Sequence, residues 1–259
     1  MTLDLFSGTG IFLLGTIFGS FVSMASYRIA EHESFWTKHS YCPHCHHSLN
    51  ALDLVPLFSW LYLRGKCRYC RQHVAWHYPL TELCLGIAFV MISVRYGITP
   101  YASLLFAVTI CLAILIKVDF SHYLLPDSVQ LILFGLGIAH VWLTEIPWIY
   151  PLLGATAGIA VGLLLRFSGY LLKKQEAFGW GDVKFLGVAG IFLCNTPEIT
   201  PIFLLLSGII GIMIALYWRF SGRGILFPFG PALTLSLFFC LLFPETGNII
   251  PALALFFVR

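Results

Sequence analysis

Two aspartates stand at the edges of apolar segments, where a carboxylate is costly and usually has a function. Asp119 closes one apolar run, and Asp182 opens another directly after Gly179 and Gly181. Two carboxylates a few ångströms apart share one proton, so one acts as a base and the other as an acid. Such a pair can activate water against a peptide carbonyl without a metal ion. The two glycines leave room for a substrate backbone beside Asp182.

Each of these acids also has a purely structural interpretation. Asp182 can stabilise the N-terminus of its own helix, as helix-end carboxylates commonly do. Asp127 follows Pro126 and precedes an apolar run, so we interpret it as a helix cap. Glu82 lies just inside another apolar run, where capping and function are equally open.

Four of the eight cysteines form two CxxC units, Cys42 with Cys45 and Cys67 with Cys70. Two such units at this separation are typical of a four-thiolate zinc site, which holds together a segment too small for a core of its own. Two redox-active pairs are the alternative. Histidines beside the first unit offer a further alternative as ligands, and these are His44, His46 and His47.

The elements that position these residues are predicted from composition. The chain has 259 residues, 59% hydrophobic and 10% charged, against about 25% charged in soluble domains. This predicts an all-α polytopic membrane protein with about eight transmembrane helices. The predicted spans are 8–29, 79–97, 101–118, 128–144, 149–171, 183–194, 200–218 and 225–244.

Three parts follow from this pattern: a first transmembrane helix (1–30), a polar segment with both CxxC units that we predict to be a zinc-binding domain (31–78), and a membrane-embedded domain that carries Asp119 and Asp182 (79–259). With the N-terminus outside, only Arg95 and Arg259 among the 15 Lys and Arg residues lie outside. The positive-inside rule then places the zinc domain and both aspartates at the cytosolic face. A net charge of +3 without a long basic run does not suggest a nucleic-acid partner.

Over nearly its whole length the chain resembles the bacterial prepilin peptidases. Gly179-Trp180-Gly181-Asp182 matches the family's glycine-x-glycine-aspartate motif. Other matching segments are Gly19-Ser20-Phe21, Val55-Pro56-Leu57-Phe58-Ser59-Trp60, Arg64-Gly65-Lys66-Cys67, Tyr78-Pro79-Leu80-Thr81-Glu82, Asp119 with Leu125-Pro126-Asp127, and Phe227-Pro228-Phe229-Gly230-Pro231.

The resemblance implies an aspartic endopeptidase of the bacterial inner membrane, with Asp119 and Asp182 as its catalytic pair. It implies cleavage of the basic leader of type IV prepilins or pseudopilins at the cytosolic face. It also implies methylation of the new N-terminal amine by S-adenosylmethionine, with structural zinc on the four cysteines.

Four departures from the family pattern fall in the part linked to methyl transfer. Ser23 and Leu54 stand where asparagine is common, Ala30 where proline is common, and His77 where arginine is common. Three other functions are kept as alternatives. They are an aspartyl peptidase of another membrane substrate, a membrane transporter, and a zinc-anchored scaffold without activity.

Overall fold

The computed structural model of the protein describes residues 5–31, 33, 40–173, 178–194, 198–224 and 226–245, and helices are its main secondary structure. The described ranges contain no β-strand, only two isolated bridges. The all-α prediction is therefore confirmed. The helices are α1 (Leu5–Ala30), α2 (Phe58–Tyr62), α3 (His77–Tyr96), α4 (Pro100–His122), α5 (Asp127–Leu143), α6 (Ile149–Lys173), α7 (Trp180–Leu193), α8 (Ile199–Phe220) and α9 (Gly230–Leu242), with a 3-10 turn at Ala51–Leu54.

Two compact units make up the chain, Met1–Lys117 and Val118–Arg259, and their boundary falls within α4. In the first unit, α1 and α3 pack along each other at small residues. A Cβ on Gly15 would lie 2.7 Å from the Cα of Gly86, so only glycine permits this approach. Close contact of this kind is how helices associate where lipid provides no hydrophobic driving force.

The second unit is built around α7. Its side chains from Val183 to Leu193 are almost all buried, because α5, α6 and α9 pack against it. Gly154, Gly158 and Gly162 recur every four residues along the face of α6 that meets α7. A side chain on Gly154 or Gly158 would run into the backbone of α7, so the two helices touch through their main chains.

Each of the eight predicted spans corresponds to a helix. Within the described ranges, five helices are long and apolar enough to cross a membrane by themselves. Those five lie in α1, α3, α4, α6 and α8. The other three, α5, α7 and α9, have 17, 14 and 13 residues. The chain is thus a multi-pass membrane protein by its apolar helices, while the count of eight spans stays a prediction.

The last predicted span, 225–244, is too long at its start, since α9 begins only at Gly230. Pro228 disfavours helical geometry for the residue before it, and Pro231 suits the first turn of the new helix. The three-part division of the chain also stays a prediction.

Candidate active site

Asp119 lies in the last turns of α4 and is 95% buried, since only 5% of its surface is exposed. Its Oδ2 accepts a hydrogen bond of 2.8 Å from the backbone N–H of Gly230, the first residue of α9. A Cβ on Gly230 would lie 2.7 Å from that same oxygen. The glycine therefore brings a backbone donor to the carboxylate where any side chain would obstruct it.

Asp182 lies in the first turn of α7 and is partly buried. Its Oδ2 accepts a hydrogen bond of 3.2 Å from the N–H of Gly179, the residue that caps the helix. This is one half of a capping box. Asp182 thus stabilises the start of its own helix, as its structural interpretation predicts. Only Oδ2 takes part in this hydrogen bond, so Oδ1 lies outside the cap.

The structure places the two predicted catalytic aspartates in the same unit, at the end of α4 and the start of α7. Leu125 packs between the glycine before Asp182 and the glycine that donates to Asp119. Its side chain comes within 3.0 Å of the Cβ position of Gly181 and within 2.9 Å of that of Gly230. Both glycines therefore make room for Leu125, and the arrangement can polarise a water molecule held between the two acids.

Asp127 does not cap α5, which corrects the sequence-based interpretation. Pro126 occupies the cap position, and Asp127 is the first helical residue. Its oxygens Oδ1 and Oδ2 lie 2.7 and 2.8 Å from Nζ of Lys184 in α7. The role of Asp127 is still structural, because this exposed ion pair joins the starts of two helices.

Glu82 also has a structural contact, within the first unit. Its Oε2 accepts a hydrogen bond of 2.7 Å from the N–H of Leu57, a residue held at a left-handed φ of 62°. Such a conformation is uncommon for leucine and is found where surrounding contacts fix it.

Lys117 makes contacts that the sequence did not suggest. Its Nζ donates to the hydroxyls of Ser23 (2.9 Å) and Thr81 (3.2 Å).

The four predicted metal ligands form one cluster. The sulfurs of Cys42, Cys45, Cys67 and Cys70 all lie within 4.8 Å of one another. The Sγ atoms of Cys42 and Cys70 are 3.9 Å apart, close to the ~3.8 Å edge of a tetrahedron with 2.3 Å zinc–sulfur bonds. All eight cysteines lie in the described part of the chain, and none is in a disulfide. The cluster thus fits a zinc ion.

Electrostatics within the cluster favour a cation. Burial opposes ionisation of Cys67, but N–H groups of Cys70 and Tyr69 donate to its sulfur and lower its pKa to about 7. Cys70 accepts a backbone hydrogen bond from Gln72, yet burial and the neighbouring thiols raise its pKa to about 11. Four thiolates at these distances need a divalent cation to offset their repulsion.

The two CxxC units have the same local structure, which their sequences alone did not show. In each, the N–H of the first cysteine donates five residues ahead, from Cys42 to His47 and from Cys67 to Gln72. In each, the residue four after that cysteine has a positive φ, 54° for His46 and 58° for Arg71. Among the described residues, the metal cluster contains no histidine.

A cavity of about 580 Å³ opens in the first unit beside the two CxxC units. Its walls include the carboxylates of Asp53 and Glu82 and the rings of Tyr27 and Tyr78. Asp53 pairs with Arg68 at 2.6 Å. Burial raises the pKa of Asp53, but the Arg68 hydrogen bond and charge outweigh this and bring the pKa below its usual value.

Comparisons with known proteins assign this apolar, multi-pass chain to a class. Residues 13–96 match the bacterial peptidase A24 N-terminal domain, and residues 105–216 match the type IV leader peptidase family. No solved structure is significantly similar to the chain.

Curated relatives named prepilin leader peptidase/N-methyltransferase extend over most of the chain. The protein of Stutzerimonas stutzeri is 34% identical over 85% of this chain and 76% of its own length. The Pseudomonas putida protein is 30% identical over 86% of this chain and 86% of its own length. The Aeromonas hydrophila protein is 31% identical over 91% of this chain and 90% of its own length. The chain belongs to the prepilin leader peptidase/N-methyltransferase family, and the prediction that it is an enzyme is confirmed.

Proposed function

We propose that the protein removes the N-terminal leader of type IV prepilins or pseudopilins, with Asp119 and Asp182 as an aspartic catalytic pair. The observation that carries the proposal is the pair of buried or partly buried carboxylates in one unit, each fixed by a glycine N–H at 2.8 and 3.2 Å. The same names among the relatives support the substrate class.

In this mechanism the pair shares one proton, because two neighbouring negative charges repel each other. The ionised carboxylate removes a proton from water as the water attacks the peptide carbonyl. The protonated carboxylate donates its proton as the peptide bond breaks and the leaving amine forms. The N–H groups of Gly230 and Gly179 hold each Oδ2 in place while the charge moves between the acids.

The proposed topology places eight helices in the bacterial inner membrane, with the N-terminus outside. Both aspartates then lie at the cytosolic boundary, where a substrate anchored by its own apolar helix presents the junction after its leader. The four cysteines would hold structural zinc in the cytosolic domain, and its closed set of four ligands leaves no position for catalysis at the metal.

Cleavage of a purified prepilin by the detergent-solubilised enzyme tests the mechanism. Asp119→Asn and Asp182→Asn should each lose at least about a thousandfold in kcat, because neither variant can share a proton between two acids. Asp127→Asn is the matched control, since it makes the same chemical change at an acid paired with Lys184, and it should cleave normally. Normal cleavage by either active-site variant would refute the catalytic pair.

A second activity, N-methylation of the new N-terminal residue, is supported by the cavity in the first unit. Its volume of about 580 Å³ is within the usual range for small-molecule sites, about 300–1,000 Å³. S-adenosylmethionine would supply the methyl group from a cationic sulfonium. The rings of Tyr27 and Tyr78 suit such a cation, and Glu82 offers a carboxylate to the substrate ammonium.

Three of the four positions that depart from the family pattern also line this cavity, Ser23, Leu54 and His77. Neither Asp119 nor Asp182 is among the residues that line the cavity, so methylation and cleavage can be tested separately. Mass spectrometry of the cleaved pilin should show a gain of one methyl group only when S-adenosylmethionine is present, with cleavage unchanged without it. An unmodified product at saturating S-adenosylmethionine would refute the second activity and leave the first intact.

A further inference from the structure

Gln130 is a buried polar residue in the second unit, in α5, and only 4% of its surface is exposed. Its Nε2 donates to the carbonyl oxygen of Leu125 at 3.2 Å and to that of Gly181 at 3.3 Å. A carboxamide nitrogen carries two N–H groups, so one side chain can serve both carbonyls. Gln130 thereby ties the segment before α5 to the first turn of α7.

Those two attachment points are directly linked to the carboxylates. Gly181 precedes Asp182 in the chain. Leu125 packs into the space left by Gly181 and by Gly230, and Gly230 donates to Asp119. Holding Leu125 and Gly181 together therefore holds both sides of the aspartate pair, although Gln130 reaches the acids only through other residues.

The carboxamide oxygen of Gln130 indicates that this residue has more than a packing role. Its Oε1 is buried and has no hydrogen-bond partner among the described residues. An unpaired buried acceptor is unfavourable, so an apolar side chain of the same length would fill this space at less cost. What the carboxamide adds is its pair of N–H groups, and these reach the segment before α5 and the first turn of α7.

We propose that Gln130 is a positioning residue that sets the separation of Asp119 and Asp182. The inference rests on the proposed function, in which these two acids are the catalytic pair. Loss of the two N–H groups lets Leu125 and Gly181 move apart, and the carboxylates move apart with them. Gln130 acts on the geometry of the reaction without touching the substrate.

Gln130→Met tests this because methionine keeps the length of the side chain and removes both donors. We expect kcat for prepilin cleavage to fall about 10- to 100-fold, the range for a misplacement of up to ~1 Å. KM should stay within about twofold, since no substrate contact is lost. The pH–rate profile should narrow from both sides, because carboxylates that interact less share one proton over a smaller pH range.

Thr144→Val is the matched control. It removes a partly buried side-chain hydrogen bond, from Thr144 to the carbonyl of His140, at the opposite end of the same helix, where Thr144 is the C-cap residue. Its kcat per folded enzyme and the width of its pH profile should stay at wild-type values. Should Gln130→Met fail to fold, Gln130→Leu, which also lacks the donors and adds no titratable group, takes its place with the same expected readings.

An unchanged kcat and an unchanged pH profile in a folded Gln130 variant would overturn the inference. A loss of activity in proportion to lost folded protein, as in the control, would overturn it too. The proposed function fails separately, namely if Asp119→Asn or Asp182→Asn still cleaves. Loss of cleavage in both aspartate variants beside a wild-type-like Gln130→Met would remove the positioning role alone.

Discussion

Gly230→Ala adds a single methyl group beside the Asp119 carboxylate. The new Cβ would lie 2.7 Å from Oδ2 of Asp119 and 2.9 Å from Cδ2 of Leu125. To restore an ordinary contact of about 3.4 Å, the carboxylate or the start of α9 must move by roughly 0.7 Å. Leu125 blocks movement on one side, and the surroundings of Asp119 are buried. Part of the strain therefore displaces Oδ2 from the position that its hydrogen bond defines.

A displacement of this size in a reacting group is expected to reduce kcat by about 10- to 100-fold, with KM for the prepilin little changed. The assay is leader cleavage by purified enzyme in detergent, with thermal unfolding measured in parallel. Gly208→Ala is the control, because a Cβ at this helical glycine of α8 meets nothing within 4 Å. It should keep full activity and gain up to about 1 kcal/mol of helix stability.

Full activity in Gly230→Ala would refute the reasoning, since it would mean that the Asp119 carboxylate is free to move or is not required. An equal loss in Gly208→Ala would show instead that any methyl group added to these helices impairs the enzyme.

Three further predictions concern the parts that support the site. Cys67→Ser should abolish zinc binding, measured by metal content, and destabilise the zinc-binding domain (31–78) by several kcal/mol. Cys84→Ser, which changes a cysteine outside the cluster, should retain the metal. Lys184→Met breaks the exposed pair with Asp127 and should change stability by less than ~1 kcal/mol with cleavage intact. Asp53→Asn should reduce the stability of the zinc-binding domain near neutral pH, because it removes the charged partner of Arg68. Because its folded-state pKa lies below 3.8, the wild type keeps this stabilisation at every pH above 3.8 and would lose it only as the pH falls further. Metal retention against a chelator at neutral pH, compared between wild type and variant, measures the effect.

The cysteine cluster and the aspartate motifs were predictable because each is a short run of residues whose spacing carries the chemistry. Two CxxC units bring their own geometry from tight turns, so the clustering of Cys42 with Cys70 followed without knowledge of the fold. The family motifs around Asp119 and Asp182 likewise predicted that distant acids meet.

What the sequence could not show is how the acids are held. The donor to Asp119 is a backbone N–H 111 residues further along the chain, at Gly230, and every residue but proline has such a group. Gln130 left a detectable signal, since a carboxamide is unusual within an apolar segment, but its partners are carbonyl oxygens that no sequence pattern marks. Asp127 was misread as a cap because a salt bridge to Lys184 depends on how two helices pack.

The glycine stripe of α6 has a consequence for the genetics of this enzyme. Gly154, Gly158 and Gly162 touch no reacting group, yet they fix the helix that begins with Asp182. A random screen for inactive mutants should therefore collect substitutions along α6 as well as at the acids. Suppressors of those mutants at the facing positions of α7 should be rare, because Gly187 and Gly190 already lack a side chain that could be removed to make room.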